Sequence, residues 1–197
     1  MRLTHTGTLW IHSMPGPLQQ HITWALARLS MPDGTKPGRG IWRSLRTGSS
    51  LCAEVPFVAD AEAVTSLVDN LSRWPHLYFE LAQDPTVDDA GMAVDGMRYC
   101  HTPELGTFAG QTDAAGNIVV GEDALRNIAA QGGDIADAID SAIAGPWDRV
   151  LEPMRLATAG FEPVEGEASE SEMAPPLGEV TAGGANVVQF YPRRAAM

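Results

Sequence analysis

The fold is decided by residues 51–82, which read LCAEVPFVADAEAVTSLVDNLSRWPHLYFELA. Residues 51–58 alternate and are rich in β-branched side chains, which predicts a strand. Asp60 suits a helix N-cap, and apolar residues then recur at helical spacing up to about Trp74. A proline ends that helix, and residues 76–82 predict another strand. The stretch therefore predicts a strand, a helix and a second strand.

The residues before this stretch predict two further strands and a helix. Residues 6–12 predict a strand, and residues 18–29 predict a helix that follows a Pro-Gly-Pro break. Residues 41–46 predict a strand, joined to the next one by a hairpin turn. The order over residues 4–83 is thus βαββαβ, the ferredoxin-like unit, in which two helices cover one face of a four-stranded antiparallel sheet. Its first and third strands are expected at the centre.

Residues 97–158 form a second predicted section, a β-hairpin with helices that packs on the first section. The hairpin strands are predicted at residues 104–111 and 116–120, and helices at Glu122 and after Asp134. A last helical piece contains a proline, which predicts an interruption. The predicted fold class is therefore α+β.

Residues 161–197 are predicted to be an acidic, mostly disordered tail. Residues 161–180 contain six glutamates and no cation, and they offer few large apolar side chains. Such a segment cannot bury enough apolar surface to offset the entropy of ordering it. A short β-prone patch follows at residues 186–191.

Composition excludes several classes of protein. The chain has 197 residues with two cysteines, Cys52 and Cys100, and no C-x-x-C pair, so we expect reduced packing residues rather than a disulfide scaffold or a metal site. No window reaches about 18 consecutive apolar residues, and the N-terminus lacks the apolar run of a signal peptide. We therefore expect a cytoplasmic protein without a membrane span, and we predict no cofactor.

Charge is distributed unevenly along the chain. Residues 1–50 carry six basic residues and one acidic residue, whereas the remainder carries 7 basic and 24 acidic residues. Four of the cations fall between Lys36 and Arg46, which predicts either a solvated loop beside an edge strand or a site for a small anion. The formal net charge of -12 opposes binding to nucleic acid.

Strand alternation predicts that one face of the first sheet is aromatic and charged. Aliphatic residues turn towards the helices, and the opposite face collects Trp10, His12, Trp42, Arg46, Glu54, Tyr78 and Glu80. A face of this kind normally marks an interaction site. We expect it to be covered by residues 97–156, by a second subunit in a homodimer, or by a ligand. RNA-binding sheets also display aromatic residues, but the basic and aromatic signature of those modules is missing here.

Three groups of residues are candidates for chemistry. His12, Glu54 and Glu80 form a candidate acid/base group, since a histidine near carboxylates titrates in a useful range. Candidates for binding outside this face are His101, Glu104 and Arg155. Arg155 is equally suited to local ion pairs with Asp148 or Glu152 and to binding an anion. The sequence contains no phosphate-binding glycine loop, nucleophile elbow or metal-ligand spacing.

Several motifs resemble one family. They are GTLWIHS at 7–13, RYCHTPELGTF at 98–108, DAAGNI at 113–118, PWD at 146–148 and LEPMR at 151–155. Over residues 4–158 the chain resembles the actinobacterial proteins of the domain of unknown function 3145 family. The resemblance implies a bacterial protein of actinobacterial origin, and it assigns no activity, cofactor or catalytic residue.

The sequence favours a non-enzymatic regulatory or adaptor protein that binds a protein partner or a small anionic ligand. The alternative is an enzyme whose site lies between the two sections and uses His12, Glu54 and Glu80. Neither nucleic acid nor a membrane is an expected partner.

We predict that the protein does not bind nucleic acid specifically. Any binding at low salt should vanish near physiological ionic strength, because only the basic stretch between Lys36 and Arg46 opposes the acidic remainder. Fluorescence anisotropy with labelled duplex and single-stranded oligonucleotides measures this directly. Sub-micromolar binding at physiological salt would contradict the prediction.

Overall fold

The computed structural model describes residues 4–45 and 49–159. The chain up to residue 160 forms one compact unit. Two parts of the sequence analysis, the predicted tail at 161–197 and the candidate residue Arg46, lie outside the described residues.

The first half contains the predicted βαββαβ order. Its elements are β1 (Thr4–Pro15), α1 (Gln19–Leu26), β2 (Arg43–Ser44), β3 (Ser50–Asp60), α2 (Ala61–Leu71) and β4 (Tyr78–Gln83). The second half contains β5 (Thr86–Val87), β6 (Ala93–Val94), β7 (Gly96–Thr102), β8 (Gly106–Thr112), α3 (Glu122–Gln131), α4 (Ile135–Ala142) and α5 (Gly145–Ala159). The fold class is α+β, as the sequence predicts.

One antiparallel sheet runs through the unit in the order β2-β3-β1-β4-β7-β8. Within the first four strands, the first and third lie at the centre, as the ferredoxin-like pattern predicts. The hairpin β7-β8 pairs with β4 and extends the sheet from that edge. The predicted sections 4–83 and 97–158 therefore share a sheet. The short strands β5 and β6 form a separate ladder.

The main core lies between this sheet and helices α1 and α2. Alternate residues of the long strands, such as Leu9, Val55 and Phe79, are fully buried against these helices. Asp60 caps α2, because its carboxylate accepts a hydrogen bond from the Ala63 backbone N–H at 2.8 Å. The alternation in β1 shifts at a bulge between Ile11 and Met14, so that both of these residues still face the helices.

The second strand differs from its prediction. Residues 41–46 were expected to form a strand, but β2 has two residues, and a 3-10 turn occupies Arg39–Ile41. Trp42 consequently lies on the helix side of the sheet rather than on the opposite face. Its indole Nε1 donates a hydrogen bond to Thr23 Oγ1 at 2.9 Å. The Trp42 side chain packs against the main core. The predicted position of Trp42 is therefore wrong, because alternation applies only within a continuous strand.

The predicted hairpin of residues 104–111 and 116–120 is present only in part: the chain turns back after β8, and the Val119 N–H donates to the Gln111 carbonyl at 2.8 Å, but residues 116–120 do not form a full strand. β8 pairs with the preceding strand β7 through a turn in which Gly106 has a φ of 74°. Residues 113–117 form a tight turn, and Ile118 then makes one bridge to Thr112. Both turns carry suitable residues and both form, but the full-length partner of β8 is β7, which local turn chemistry does not specify.

Helix α5 covers part of the sheet face that lies opposite α1 and α2. Leu151 is fully buried there in a small cluster with Cys100 and Ala144. The helix is continuous across Pro153, which is exposed on its outer side, so the predicted interruption is absent. Within the described ranges, none of the helices is long and apolar enough to cross a bilayer.

We predict that Gly7→Ala destabilises the protein, because a Cβ at this position would lie 2.1 Å from the Ala82 carbonyl oxygen and 2.7 Å from the Phe57 ring. Overpacking of this kind costs about 1–3 kcal/mol or more. Gly40→Ala is the matched control, since a Cβ there meets nothing within 4 Å. Urea unfolding of both variants measures the difference, and equal free energies of unfolding would refute it.

Candidate functional site

The centre of the candidate site is the buried carboxylate of Glu80 on β4. Arg155 of α5 binds it through two hydrogen bonds, from Nε to Oε2 at 2.7 Å and from Nη2 to Oε1 at 2.6 Å. Arg98 of β7 donates a third from Nη2 to Oε1 at 2.9 Å. The bidentate pairing of Arg155 with Glu80 is the strongest geometry that arginine and carboxylate form.

Two further groups from the sheet complete the shell around Glu80. His12 Nε2 donates to Oε2 at 2.8 Å, since an ionised carboxylate only accepts hydrogen bonds. The Cys100 thiol lies 3.6 Å from Oε1 and donates weakly. Strands β1 and β7 flank β4, and for this reason their side chains converge on Glu80.

Helix α5 adds two acidic residues that hold the arginines. Asp148 Oδ1 accepts from Arg98 Nη2 at 2.6 Å and from Arg155 Nη2 at 2.5 Å, and Glu152 Oε2 accepts from Arg155 Nη1 at 2.9 Å. Residues 148, 152 and 155 lie on one helix face because of their spacing. We call this set the Glu80 network; its members are His12, Glu80, Arg98, Cys100, Asp148, Glu152 and Arg155.

The Glu80 network keeps its central carboxylate ionised. Burial by itself would raise the pKa of Glu80, but the hydrogen bonds from His12 and Arg155 and the nearby guanidinium charges outweigh burial and hold the pKa well below its usual range. Burial raises the pKa of the Cys100 thiol far above its ordinary value, so this thiol stays protonated and unreactive.

The network is chemically closed. Both oxygens of Glu80 already accept strong hydrogen bonds, so the carboxylate would take up a substrate proton only by giving up an arginine. Among the described residues, no buried side-chain polar atom is without a partner, and no group of His, Cys, Asp and Glu is arranged to hold a metal ion. This arrangement fastens α5 to the sheet, and both oxygens of its central carboxylate are occupied.

The structure brings only part of the predicted acid/base group together. His12 is bonded to Glu80, whereas Glu54 lies on the other side of β1, because Trp10 pairs with both glutamates in the strand register. Glu54 is about half exposed and lies 4.0 Å from Arg43. Trp10, half-buried, stands between the two carboxylates. Glu54 takes no part in the described Glu80 network.

Tyr78 and Glu104 form a separate contact near the β7-β8 turn. The tyrosine hydroxyl donates to Glu104 Oε1 at 2.6 Å, and this bond, aided by burial, raises the pKa of Tyr78 to about 12. His101 points to the other side of the sheet, where it stacks on Phe79 and bonds Thr107 Oγ1 through Nδ1 at 2.8 Å. His101 and Glu104 therefore have different hydrogen-bond partners.

The basic stretch from Lys36 to Arg46 contains cations that are already engaged. Lys36 Nζ donates to the Leu29 carbonyl at 2.9 Å and to Ser30 Oγ at 3.2 Å. Arg43 faces Glu54, as described above. These contacts are typical of residues that hold a loop in place.

A different surface is formed by α3 and α4, which contain no buried residue. Its exposed apolar side chains are Leu125 (44% exposed), Ile135 (50%), Ile139 (39%) and Ile143 (42%). Ile135 and Ile139 are four residues apart and share one side of α4, and Ile143 follows as the C-cap residue of that helix. We call these four residues the α3–α4 surface.

A comparison with protein families now adds to this geometry. The family model described as protein of unknown function (DUF3145) matches residues 8–164. The chain belongs to the DUF3145 family. Searches of curated proteins and of solved structures find no match. The match includes the whole Glu80 network and the α3–α4 surface, so both belong to the family region of the chain.

Sequence reasoning missed part of the network in this DUF3145 protein. Arg98 was not singled out, and Cys100 was considered only for packing. The sequence did carry a signal for each element. Arg98 and Cys100 are two residues apart and so share one face of a strand, and Asp148 and Arg155 are seven residues apart and so share one face of a helix. Their pairing with Glu80 depends on the β4-β7 contact, which local patterns do not specify.

We predict that Glu80→Gln lowers the free energy of unfolding at neutral pH by roughly 3–5 kcal/mol, because it leaves buried arginine charge without its partner. Glu54→Gln is the matched control, since its half-exposed ion pair is worth at most about 1 kcal/mol. Chemical denaturation measures both variants, and equal effects would contradict a structural role for the network.

The Glu80→Gln effect should depend on pH. The pKa of Glu80 is lowered by folding, so its contribution is complete above the unfolded-state pKa of about 4.3 and is lost as the pH falls below it. The difference in unfolding free energy between the wild type and the variant should therefore shrink below about pH 5. Denaturation curves of both proteins at several pH values test this prediction, and a difference in unfolding free energy that grows on acidification would contradict it.

Proposed function

We propose that this DUF3145 protein is a non-enzymatic adaptor, regulatory in its action, that binds a protein partner through the α3–α4 surface. One observation carries the proposal: two amphipathic helices end to end in the chain bury no residue and leave an aligned apolar stripe in solvent. Contiguous exposed apolar surface of this kind marks interaction sites in soluble proteins.

Helix stability supports the same conclusion. α3 has 10 residues and α4 has 8, and isolated helices shorter than about 12–15 residues are marginal in water. Helices in proteins are stabilised chiefly by packing of an apolar face, and none of the residues of these two helices is fully buried. A partner that covers Ile135, Ile139 and Ile143 would supply this packing.

The closed Glu80 network argues against the enzymatic alternative. An acid/base residue needs a pKa near the operating pH and room for a substrate, whereas Glu80 is held ionised by two arginines and a histidine. We therefore assign the network to the scaffold and the α3–α4 surface to function. In this proposal the protein acts in the cytoplasm, and it requires neither nucleic acid nor a cofactor.

We predict that a photo-crosslinking amino acid at position 139 captures a specific partner in the native host, and that Ile135→Asp abolishes this capture. The same crosslinker at position 87 is the control, because Val87 is 60% exposed but lies in the separate β5-β6 ladder. Capture from both positions, or persistence of the position 139 product in Ile135→Asp, would count against the proposal.

Two further measurements show whether Ile135→Asp acts on the surface itself or by unfolding the protein. Ile135→Asp should change the unfolding free energy by no more than about 1 kcal/mol, because the side chain is half exposed. Backbone amides of α3 and α4 should exchange with deuterium faster than those of β1 and become protected when the captured partner is added. Strong destabilisation by Ile135→Asp would show that the surface belongs to the core instead.

A further inference from the structure

Strand β8 is an edge of the six-stranded sheet. It pairs with β7 on one side, and on the other side only its end meets the returning chain, where the Val119 N–H donates to the Gln111 carbonyl at 2.8 Å. Backbone groups of alternate residues point to opposite sides of a strand, so those of Thr107 and Ala109 point outward like those of Gln111. In the part of the chain that the structure describes, the N–H and C=O groups of Thr107 and Ala109 have no hydrogen-bond partner on this side.

The opposite edge of the same sheet is closed in several ways. β2 at that edge has only two residues, and beyond it Ser30 makes two backbone hydrogen bonds with Val58 of β3, at 2.7 and 3.1 Å. Pro56, which has no N–H, lies on β3 between these two contacts. Natural sheets use short edge strands, charges and prolines to prevent pairing with other chains. β8 has seven residues, and residues 105–112 contain neither a charged side chain nor a proline.

The sequence of β8 is close to symmetric about Phe108. Residues 106–110 read GTFAG, so a two-fold axis at Phe108 places the two glycines opposite each other and Thr107 opposite Ala109 of the second copy. In this antiparallel register the outward N–H and C=O groups of Thr107 and Ala109 form four hydrogen bonds with those of the second copy. The two Phe108 residues then face each other as a non-hydrogen-bonded pair, in which side chains come closest.

Phe108 is positioned for such a pair. It is half-buried, and its ring centroid lies 5.3 Å from that of Trp147 on α5. Its ring also leans over Gly110, where a Cβ would lie 2.9 Å from the ring. Gly106 and Gly110 are the diagonal neighbours of the second copy's Phe108 on this face, so no side chain at these positions obstructs the approach. Aromatic pairs across antiparallel strands stabilise the sheet.

Local charge permits this contact although each copy carries a formal net charge of -12. Exposed charges further apart than about 8 Å are largely screened at physiological ionic strength, and β8 itself is uncharged. The acids that flank the strand are already engaged. Glu104 accepts from the Tyr78 hydroxyl, and Asp113 accepts from backbone N–H groups of its own turn.

We propose that a second copy of this chain pairs with the edge of β8, antiparallel and with the two-fold axis at Phe108, so that the two sheets become continuous. This inference goes beyond the proposed function, because it concerns an edge of the sheet and not the α3–α4 surface. Only Thr107 and Ala109 of each copy supply outward hydrogen bonds, so we expect a dimer that dissociates on dilution.

Sedimentation equilibrium of the full chain at concentrations up to about 100 µM tests the proposal. The measured mass should approach twice that of one chain as the concentration rises. Ala109→Pro should weaken the dimer at least about tenfold, because it removes an outward N–H that β7 does not use. Ala109→Lys should have a similar effect, since a lysine at an exposed edge opposes pairing. Val87→Lys is the matched control, because Val87 is exposed in the separate β5-β6 ladder.

Crosslinking tests the register. With the two-fold axis at Phe108, the two copies of residue 109 are diagonal neighbours about 7–8 Å apart. Ala109→Cys should therefore give a covalent dimer with a bismaleimide whose spacer is about 8 Å long. Cys52 and Cys100 are buried and should not react. Val87→Cys is the control and should stay monomeric under the same conditions.

Three results would overturn the inference. The first is a chain that remains monomeric over the whole concentration range. The second is a dimer that both Ala109→Pro and Ala109→Lys leave unchanged while circular dichroism shows them folded; if Ala109→Pro does not fold, Ala109→Lys decides alone. The third is a dimer that Ile135→Asp abolishes and the Ala109 variants do not, which would assign self-association to the α3–α4 surface.

Discussion

The pairing of Glu80 with Arg155 is the constraint on which the second half of the molecule depends. A carboxylate buried in the middle of a sheet is costly unless positive charge and hydrogen bonds compensate for it. Two arginines and a histidine supply this compensation, and they come from α5, β7 and β1. The position of α5 and the register between β4 and β7 are thereby tied to one side chain.

The two faces of the sheet are consequently stabilised in different ways. Towards α1 and α2 the contacts are apolar, and residues such as Leu9, Val55 and Phe79 are excluded from water. Towards α5 the apolar cluster is small, and the charged Glu80 network occupies the centre. Charged networks need specific geometry, because every member must find its partner. This face therefore fixes how α5 is placed, while the other face supplies most of the hydrophobic stabilisation.

The α3–α4 surface contrasts with both faces. Its helices begin at suitable residues, and Asp134 caps α4 by accepting from the backbone N–H groups of Ala136 and Asp137. Local signals thus define where these helices lie, but tertiary packing adds little to their stability. Segments with few buried contacts open most readily and are the ones that binding partners order. The compact unit thus contains a charged network whose members are bonded to one another and a helical surface that is open to solvent.

The sequence by itself determined the βαββαβ order, the central position of the first and third strands, the Asp60 cap and the placement of Glu80 opposite the helices, because alternation and capping are local. Tertiary structure decided the β7-β8 pairing, the turn of Trp42 towards α1 and the convergence of Arg98, Asp148 and Arg155 on Glu80. These features bring together residues up to 75 positions apart. Such contacts depend on which strand edges meet, and several local patterns are compatible with more than one pairing.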